Sequence, residues 1–365
     1  MFSSDDLSSL RRNSETGLIE VIDQTLLPHQ LQWCSLNTLE LYCHAIEVMQ
    51  VRGAPLIGIT AACGLAHAIS HDASQAGIDE AAEKLLATRP TAVNLRWALE
   101  QVCSAVAGLP ETERSAAAWG RAMSIREEDI ANCSRIGDCG LEQLQRLAAG
   151  KEGKTLNIMT HCNAGWLATI QWGTALAPIY KAHGAGLKVH VWVSETRPRN
   201  QGMNLTAWEL QRAGVPCTVV ADNSCGHLMQ SGQVDCVIVG TDRTAANGDV
   251  CNKIGTYLKA LAAKASGVPF YVGLPAATVD WTCPDGAQIP IEERGGEELL
   301  AVGGMDEANH YTTISLAGAG TQAANPAFDV TPAALVSKLL TEYGAFSADS
   351  EGMAALRKVL PQHLA

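Results

Sequence analysis

No Cys-x-x-Cys pair occurs among the 12 cysteines of this 365-residue chain, which sets aside the usual structural zinc frameworks and leaves no metal site to propose. Positive charge is also short: 26 Lys and Arg face 38 Asp and Glu, for a formal net charge of -12. A surface of that sign repels phosphate backbones, which argues against nonspecific nucleic-acid binding. The opening Met-Phe-Ser-Ser-Asp-Asp lacks the basic-then-apolar layout of a signal peptide, and no unbroken apolar run reads as a bilayer span. No Gly-x-Gly-x-x-Gly follows a strand in the context that a dinucleotide site needs, which disfavours a dehydrogenase. There is no internal repeat and no low-complexity tract beyond alanine enrichment. These absences describe a reduced, cytoplasmic protein with neither membrane nor nucleic acid as partner.

What is present is apolar bulk. Hydrophobic residues make up 47% of a chain long enough for two packed units. The first third reads as helices after a short strand-like start at 18–22 and 31–33, with Asn37 or Thr38 capping a helix through Met49. Further helices are expected over 57–70, 81–87, 93–106 and 114–149. The last is taken to break near Gly137 and Gly140 and to connect the two units. From Lys154 the pattern alternates: short apolar runs at 156–160, 189–194, 217–221, 234–240 and 270–274, with helices over 167–181, 205–213 and 254–264. Alternation of this kind predicts an α/β fold with parallel strands joined by crossover helices. The expected division is a mainly helical domain over 1–128 and an α/β domain over 129–365. In such sheets ligands gather at the carboxyl ends of the strands.

Several polar motifs sit where that rule directs attention. Thr160-His161-Cys162-Asn163-Ala164-Gly165 follows the strand 156–160 and leads into the expected helix, where oriented backbone dipoles favour a thiolate. A small residue packing a tight turn would look the same, and His161 reads as a structural histidine. Gly240-Thr241-Asp242-Arg243 follows a buried strand, so Asp242 suits acid or base work; an Asp that caps a turn or pairs with Arg243 fits equally. The loop 246–253 ahead of the helix at 254 offers helix-terminal N–H groups and the Lys253 cation to an anion. Val51-Arg52-Gly53-Ala54-Pro55 combines a planar guanidinium with a glycine that permits close backbone approach, though an ordinary interhelical turn would share it. Arg89 and the polar loop 195–202 invite the same two readings.

Together these stretches resemble the 5-methylthioribose-1-phosphate isomerases, a branch of the superfamily that includes the regulatory subunits of translation initiation factor 2B. The likeness is carried by Val-Arg-Gly-Ala-Pro (51–55), Arg-Pro-Thr-Ala-Val-Asn-Leu (89–95), His-Cys-Asn-Ala-Gly (161–165), Glu-Thr-Arg-Pro (195–198) and Gly-Thr-Asp-Arg (240–243). Gly-Asp-Val-Cys-Asn-Lys-Ile-Gly (248–255), Ile-Pro-Ile-Glu-Glu-Arg (289–294) and Asn-Pro-Ala-Phe-Asp-Val-Thr-Pro (325–332) extend it towards the C-terminus. The resemblance implies a catalytic thiol at Cys162 and a catalytic acid at Asp242. It also implies substrate contacts from Arg52, Gly53, Ala54, Arg89, Gln201, Asn252 and Lys253. A Rossmann-like C-terminal domain, a homodimer, no cofactor and a small sugar-phosphate substrate belong to the same expectation. Asn204 stands where the family pattern has Arg, and Leu56 where Ala is commoner. Both bear on the exact sugar, so 5-deoxyribose 1-phosphate and ribose 1,5-bisphosphate remain alternatives, and a noncatalytic regulatory subunit would lack the Cys/Asp pair.

Overall fold

A computed structural model describes residues 7–89, 92–151 and 153–361. The N-terminal hexapeptide, and Pro90 and Thr91 of the Arg89 motif, lie outside the described residues. Three short strands, β1 (Leu10–Arg12), β2 (Ile19–Ile22) and β3 (Trp33–Leu36), form an antiparallel sheet in that order. Five helices follow: α1 (Leu39–Glu47), α2 (Ala54–His71), α3 (Gln75–Thr88), α4 (Val93–Val106) and α5 (Glu111–Ala149). Thr38 caps α1, its hydroxyl accepting the Leu41 N–H at 3.3 Å. Leu56, Leu65, Leu85, Leu95 and Ala118 pack these helices into one core.

The second half alternates. Its first stretch is β4 (Leu156–Thr160), α6 (Ala177–Gly184), β5 (Val189–Ser194), α7 (Ala207–Arg212), β6 (Cys217–Val220), α8 (Ser224–Gln230) and β7 (Cys236–Val239). Then come β8 (Arg243–Ala245), β9 (Val250–Lys253), α9 (Thr256–Ser266), β10 (Phe270–Gly273) and β11 (Val279–Asp280). The chain ends through α10 (Glu297–Leu300), the hairpin β12 (Ala301–Met305) and β13 (Tyr311–Ser315), β14 (Phe328–Thr331), β15 (Lys338–Thr341), β16 (Gly344–Phe346) and α11 (Ser350–Val359). The main sheet has the order β16-β15-β10-β7-β4-β5-β6, parallel except for the β15–β16 edge. Successive residues of β4 face opposite ways: Ile158 joins the core that contains Ile136 of α5, and Met159 joins the one that contains Ala260 of α9. Helices therefore cover both faces, which is why β7 and β10 are buried along their whole length. The strand order reverses between β4 and β7, and loops leaving their carboxyl ends part there to open a crevice.

Four expectations are corrected. Helix α5 runs unbroken for 39 residues through Gly137 and Gly140. These glycines admit α6 instead: a Cβ at Gly140 would lie 2.2 Å from the Pro178 ring, and one at Gly137 3.0 Å from the Ala177 methyl. The helix expected over 167–181 is reduced to a single 3₁₀ turn at Trp166–Ala168 and the later α6. The intervening chain folds back so that the Ala164 carbonyl accepts the N–H groups of Thr174 and Ala175 at 2.9 and 3.0 Å. The loop ahead of residue 254 contains the strand β9, paired with β8 and β14. Finally, α2 is long and apolar enough by length and composition to cross a membrane, although no such run was expected. Twelve of its residues are buried within the helical core, the role its all-round hydrophobicity serves here.

Candidate active site

The crevice between β4 and β7 holds a cavity. Arg52, Gly53, Ala54 and Arg89 reach it from the helical half, and Cys162, Gln201, Asp242 and Lys253 from the sheet half. Cys162 follows the end of β4 and Asp242 the end of β7, so the two flank the point where the strand order turns. Asn252 is not on this wall. It is 5% exposed, and its side-chain amide donates to Thr256 Oγ1 at 3.0 Å. Asn204 and Leu56 are off the wall as well.

Cys162 does not cap a helix. Its φ is +61°, a left-handed conformation, and the chain beyond it enters the 3₁₀ turn rather than a long helix. Thr196, after β5, also has a positive φ of +68°, an outlier for a β-branched residue. Its hydroxyl accepts the Cys162 N–H at 2.8 Å, so the two strained residues brace each other. Asp222 braces the pair from behind by accepting the N–H groups of Thr196 at 2.9 Å and Arg197 at 2.8 Å. Burial pushes the Asp222 carboxyl up, but the Ser194 hydroxyl and the Lys259 ammonium outweigh it and hold the group below its ordinary range. His161 is the structural residue expected: Nε2 lies 2.8 Å from the Ile254 carbonyl, and burial, aided by Lys259, pushes its pKa down.

The cavity is a positive pocket in a negative protein. Among the described residues lining it, five are Arg or Lys (52, 89, 243, 253 and 294) and two are acidic (Asp242 and Glu292). Arg243 is tied to Asp280, its Nε 2.9 Å from Oδ2, so it does not neutralise Asp242. Glu292 accepts from Arg294 at 2.8 Å and sits 3.8 Å from Arg89. Lys253, 6% exposed, donates to the Ala327 carbonyl at 2.9 Å and lies 4.3 Å from the Phe328 ring centre. Burial pushes its ammonium below the ordinary lysine range, and Arg294 adds to this while the charges of Cys162 and Asp242 oppose it. Arg89 is likewise lowered by burial. Cations held this way gain when an anion arrives.

Two backbone features complete the pocket. Gly53 has φ +92° at the N-cap of α2, where no side chain caps the helix, and a Cβ there would fall 2.3 Å from the Ala168 carbonyl. The start of α2 is thus a second source of anion-binding N–H groups. The start of α9, expected to serve the same purpose, is taken: Asp329 accepts the N–H groups of Gly255 at 2.7 Å and Tyr257 at 3.1 Å. Gln201 Oε1, in the cavity wall, is a buried acceptor with no donor among the described residues. A hydroxyl-bearing ligand would supply one.

The profile of the initiation factor 2 subunit family matches residues 50–348. Two bacterial relatives named methylthioribose-1-phosphate isomerase are 56% identical: one from Rhodospirillum rubrum over 94% of this chain and 89% of its own length, one from Dechloromonas aromatica over 95% and 96%. The chain belongs to this family. Among solved structures, the 5-methylthioribose 1-phosphate isomerase of Pyrococcus horikoshii OT3 superposes with a TM-score of 0.85 at 34% identity, covering 98% of this chain and 99% of that one. A structure from A. fulgidus named translation initiation factor eIF-2B subunit delta is also similar, with a TM-score of 0.78, 36% identity, and coverage of 96% and 99%.

Sequence reasoning passed over several residues that shape this family member's pocket. Asp222, outside every stretch singled out, holds the Cys162 backbone through Thr196, while Thr196, Glu292, Arg294 and Phe328 lay within the named stretches 195–198, 289–294 and 325–332 without being singled out themselves. Glu292 and Arg294 lay inside the matching Ile-Pro-Ile-Glu-Glu-Arg stretch, which was the available pointer to them.

Proposed function

We propose that the chain is an aldose–ketose isomerase that converts 5-methylthioribose 1-phosphate to 5-methylthioribulose 1-phosphate in methionine salvage. The observation that carries the reading is one cavity with a thiol and a carboxylate on either side of the strand-order reversal, surrounded by cations. Phosphate on the anomeric carbon blocks simple ring opening to a free aldehyde. Asp242, in its protonated form, would give its proton to the ring oxygen as the ring C–O bond breaks, and hydrogen would then move from C2 to C1 as hydride or through an enolate. Cys162 would carry the accompanying proton transfer. Arg52, Arg89, Lys253 and the N–H groups at the start of α2 hold phosphate and sugar oxygens, fixing the reacting geometry. Gln201 meets a sugar hydroxyl, and Asn252, behind the wall, acts by holding β9 to α9 through Thr256.

The reading extends to organisation: a helical domain over 1–128, a Rossmann-like domain over 129–365, and a cytoplasmic homodimer that needs no cofactor. Numbered by appearance, the six parallel strands run sixth, fifth, fourth, first, second, third, which supports the Rossmann-like description. Residues 128 and 129 fall within the continuous α5, which would serve both domains. A noncatalytic subunit, the reading suggested by the A. fulgidus relative's name, has no use for the Cys162–Asp242 pair.

The test is an isomerase assay on purified protein with methylthioribose 1-phosphate, 5-deoxyribose 1-phosphate and ribose 1,5-bisphosphate. Ketose formed fastest from the first supports the proposal, and no turnover on any of the three overturns it. Running the reaction in deuterated water separates the routes, because an exchanging enolate leaves deuterium at C1 and a hydride shift does not.

A further inference from the structure

Glu209, on α7, is 0% exposed and does not line the cavity. Four donors converge on its carboxylate. Oε1 accepts the Asn163 side-chain amide at 2.8 Å and the Leu167 N–H at 3.0 Å. Oε2 accepts the Trp166 N–H and the Tyr180 hydroxyl, each at 2.9 Å. Three of these partners are N–H groups that only an acceptor can meet, and the Tyr180 hydroxyl is the fourth; together they favour the ionised carboxylate against burial, which raises the group to about 7. The fit is close as well: a Cβ on Gly165 would lie 1.9 Å from Oε2.

The link to the cavity runs through Asn163. Its Nδ2 is committed to Glu209 and, at 3.2 Å, to Thr206 Oγ1, and this settles which way the amide is turned. Oδ1 then faces Arg52, whose guanidinium donates to it at 2.6 Å and to the Asn163 main-chain carbonyl at 2.9 Å. The nitrogen that reaches the main chain also lies 3.9 Å from Cys162 Sγ. Thr206 closes the arrangement by donating to the Cys162 carbonyl at 2.6 Å.

The geometry points to Glu209 as a positioning residue for the isomerase: its buried carboxylate locks the Asn163 amide, and the amide aims the Arg52 guanidinium at Cys162 and the bound phosphate. This rests on the reading of Arg52 and Cys162 given above. Glu209 touches neither substrate nor reacting atoms, and it acts only through the residues between. A glutamine there keeps the shape but must turn its N–H₂ either towards the Asn163 amide and the Leu167 N–H or towards the Trp166 N–H, donors in both cases, and it carries no charge. The charge-assisted hold on the Asn163 amide is then lost, and Arg52 is aimed less firmly.

A double-mutant cycle on the full chain separates this role from a merely structural one. Steady-state kinetics with methylthioribose 1-phosphate are measured for wild type, Glu209→Gln, Arg52→Ala and the double variant, with thermal midpoints alongside. Glu209→Gln is expected to lower kcat/KM roughly 30-fold in the wild-type background, as loss of an orienting charge-assisted hydrogen bond would. In the Arg52→Ala background the same change is expected to lower it less than about threefold, because no guanidinium remains to be aimed. Equal losses in both backgrounds, or wild-type kcat/KM with only a lowered midpoint, overturn the proposal. Should Glu209→Gln fail to fold, Asn163→Ala removes the same relay while leaving Glu209 three partners, and the same non-additivity with Arg52→Ala is required of it. Wild-type turnover by Arg52→Ala alone would instead bring down the site reading on which the proposal stands.

Discussion

Replacing Cys162 with Ser keeps a small polar group at the end of β4 but removes the thiol chemistry. Replacing Asp242 with Asn keeps the shape at the end of β7 and removes the acid. Each variant is expected to lose at least roughly 100-fold in kcat, the usual contribution of a placed acid or base, with an unchanged circular-dichroism spectrum. Turnover within a factor of two of wild type in both would sink the assignment. Gly53→Ala tests the phosphate end: the added methyl meets the Ala168 carbonyl, and φ +92° strains any side chain. KM for the sugar phosphate should rise more than tenfold if the start of α2 is displaced, and an unchanged KM would show that those N–H groups are not contacts. At this scale the meeting of Arg52, Cys162 and Asp242 in one cavity was legible because each sits in a short motif between apolar segments. Glu209 and Asp222 were not. A carboxylate that holds a site together and one that merely faces solvent look alike in sequence, and only the donors gathered around them tell them apart.

Among the elements, α5 carries the clearest lesson. Its glycines were expected to interrupt it, since glycine in a helix interior is destabilising by about 1 kcal/mol relative to alanine. The structure shows two kinds of glycine in this one helix. Gly140 touches the Pro178 ring of α6, whereas nothing lies within 4 Å of a Cβ built on Gly120. Gly120→Ala should therefore raise stability by roughly 0.5–1 kcal/mol, and Gly140→Ala should lower it by roughly 1–3 kcal/mol. Denaturant titration of both variants checks the pair, and a shared sign would contradict the packing account. The strands β4 and β5 were legible to the residue because apolar runs between polar turns leave little choice of boundary. The helix expected over 167–181 failed for a nonlocal reason: Gly173, at φ +78°, lets the chain turn back upon Ala164, a contact no local periodicity encodes.

For the molecule as a whole, the carboxylates set a pH dependence whose sign can be worked out. Burial raises Asp129, on α5, from 3.8 to about 7, although it accepts the Ile170 N–H at 3.1 Å. Because the folded value lies above the unfolded one, its contribution to stability is fully present below about pH 4 and is lost as pH rises through about 7. Asp129→Asn keeps an acceptor for Ile170 and removes the titration. Its thermal midpoint should fall less than that of wild type between pH 4 and pH 8, with the two curves approaching or crossing near the upper end; parallel curves would place the titration elsewhere. Net charge tells a different story from local charge. The sequence reports -12 and a protein that repels anions, yet folding gathers Arg52, Arg89, Lys253 and Arg294 into one recess.

That recess draws its cations at 52 and 89 from the helices and its thiol, acid and lysine from the sheet. A phosphorylated pentose lodged there would work as a rivet, fastening the two halves of the chain with contacts neither half makes alone. Saturating ligand should then slow proteolytic nicking and amide exchange along the first turn of α2, far from any change in the sheet's own protection.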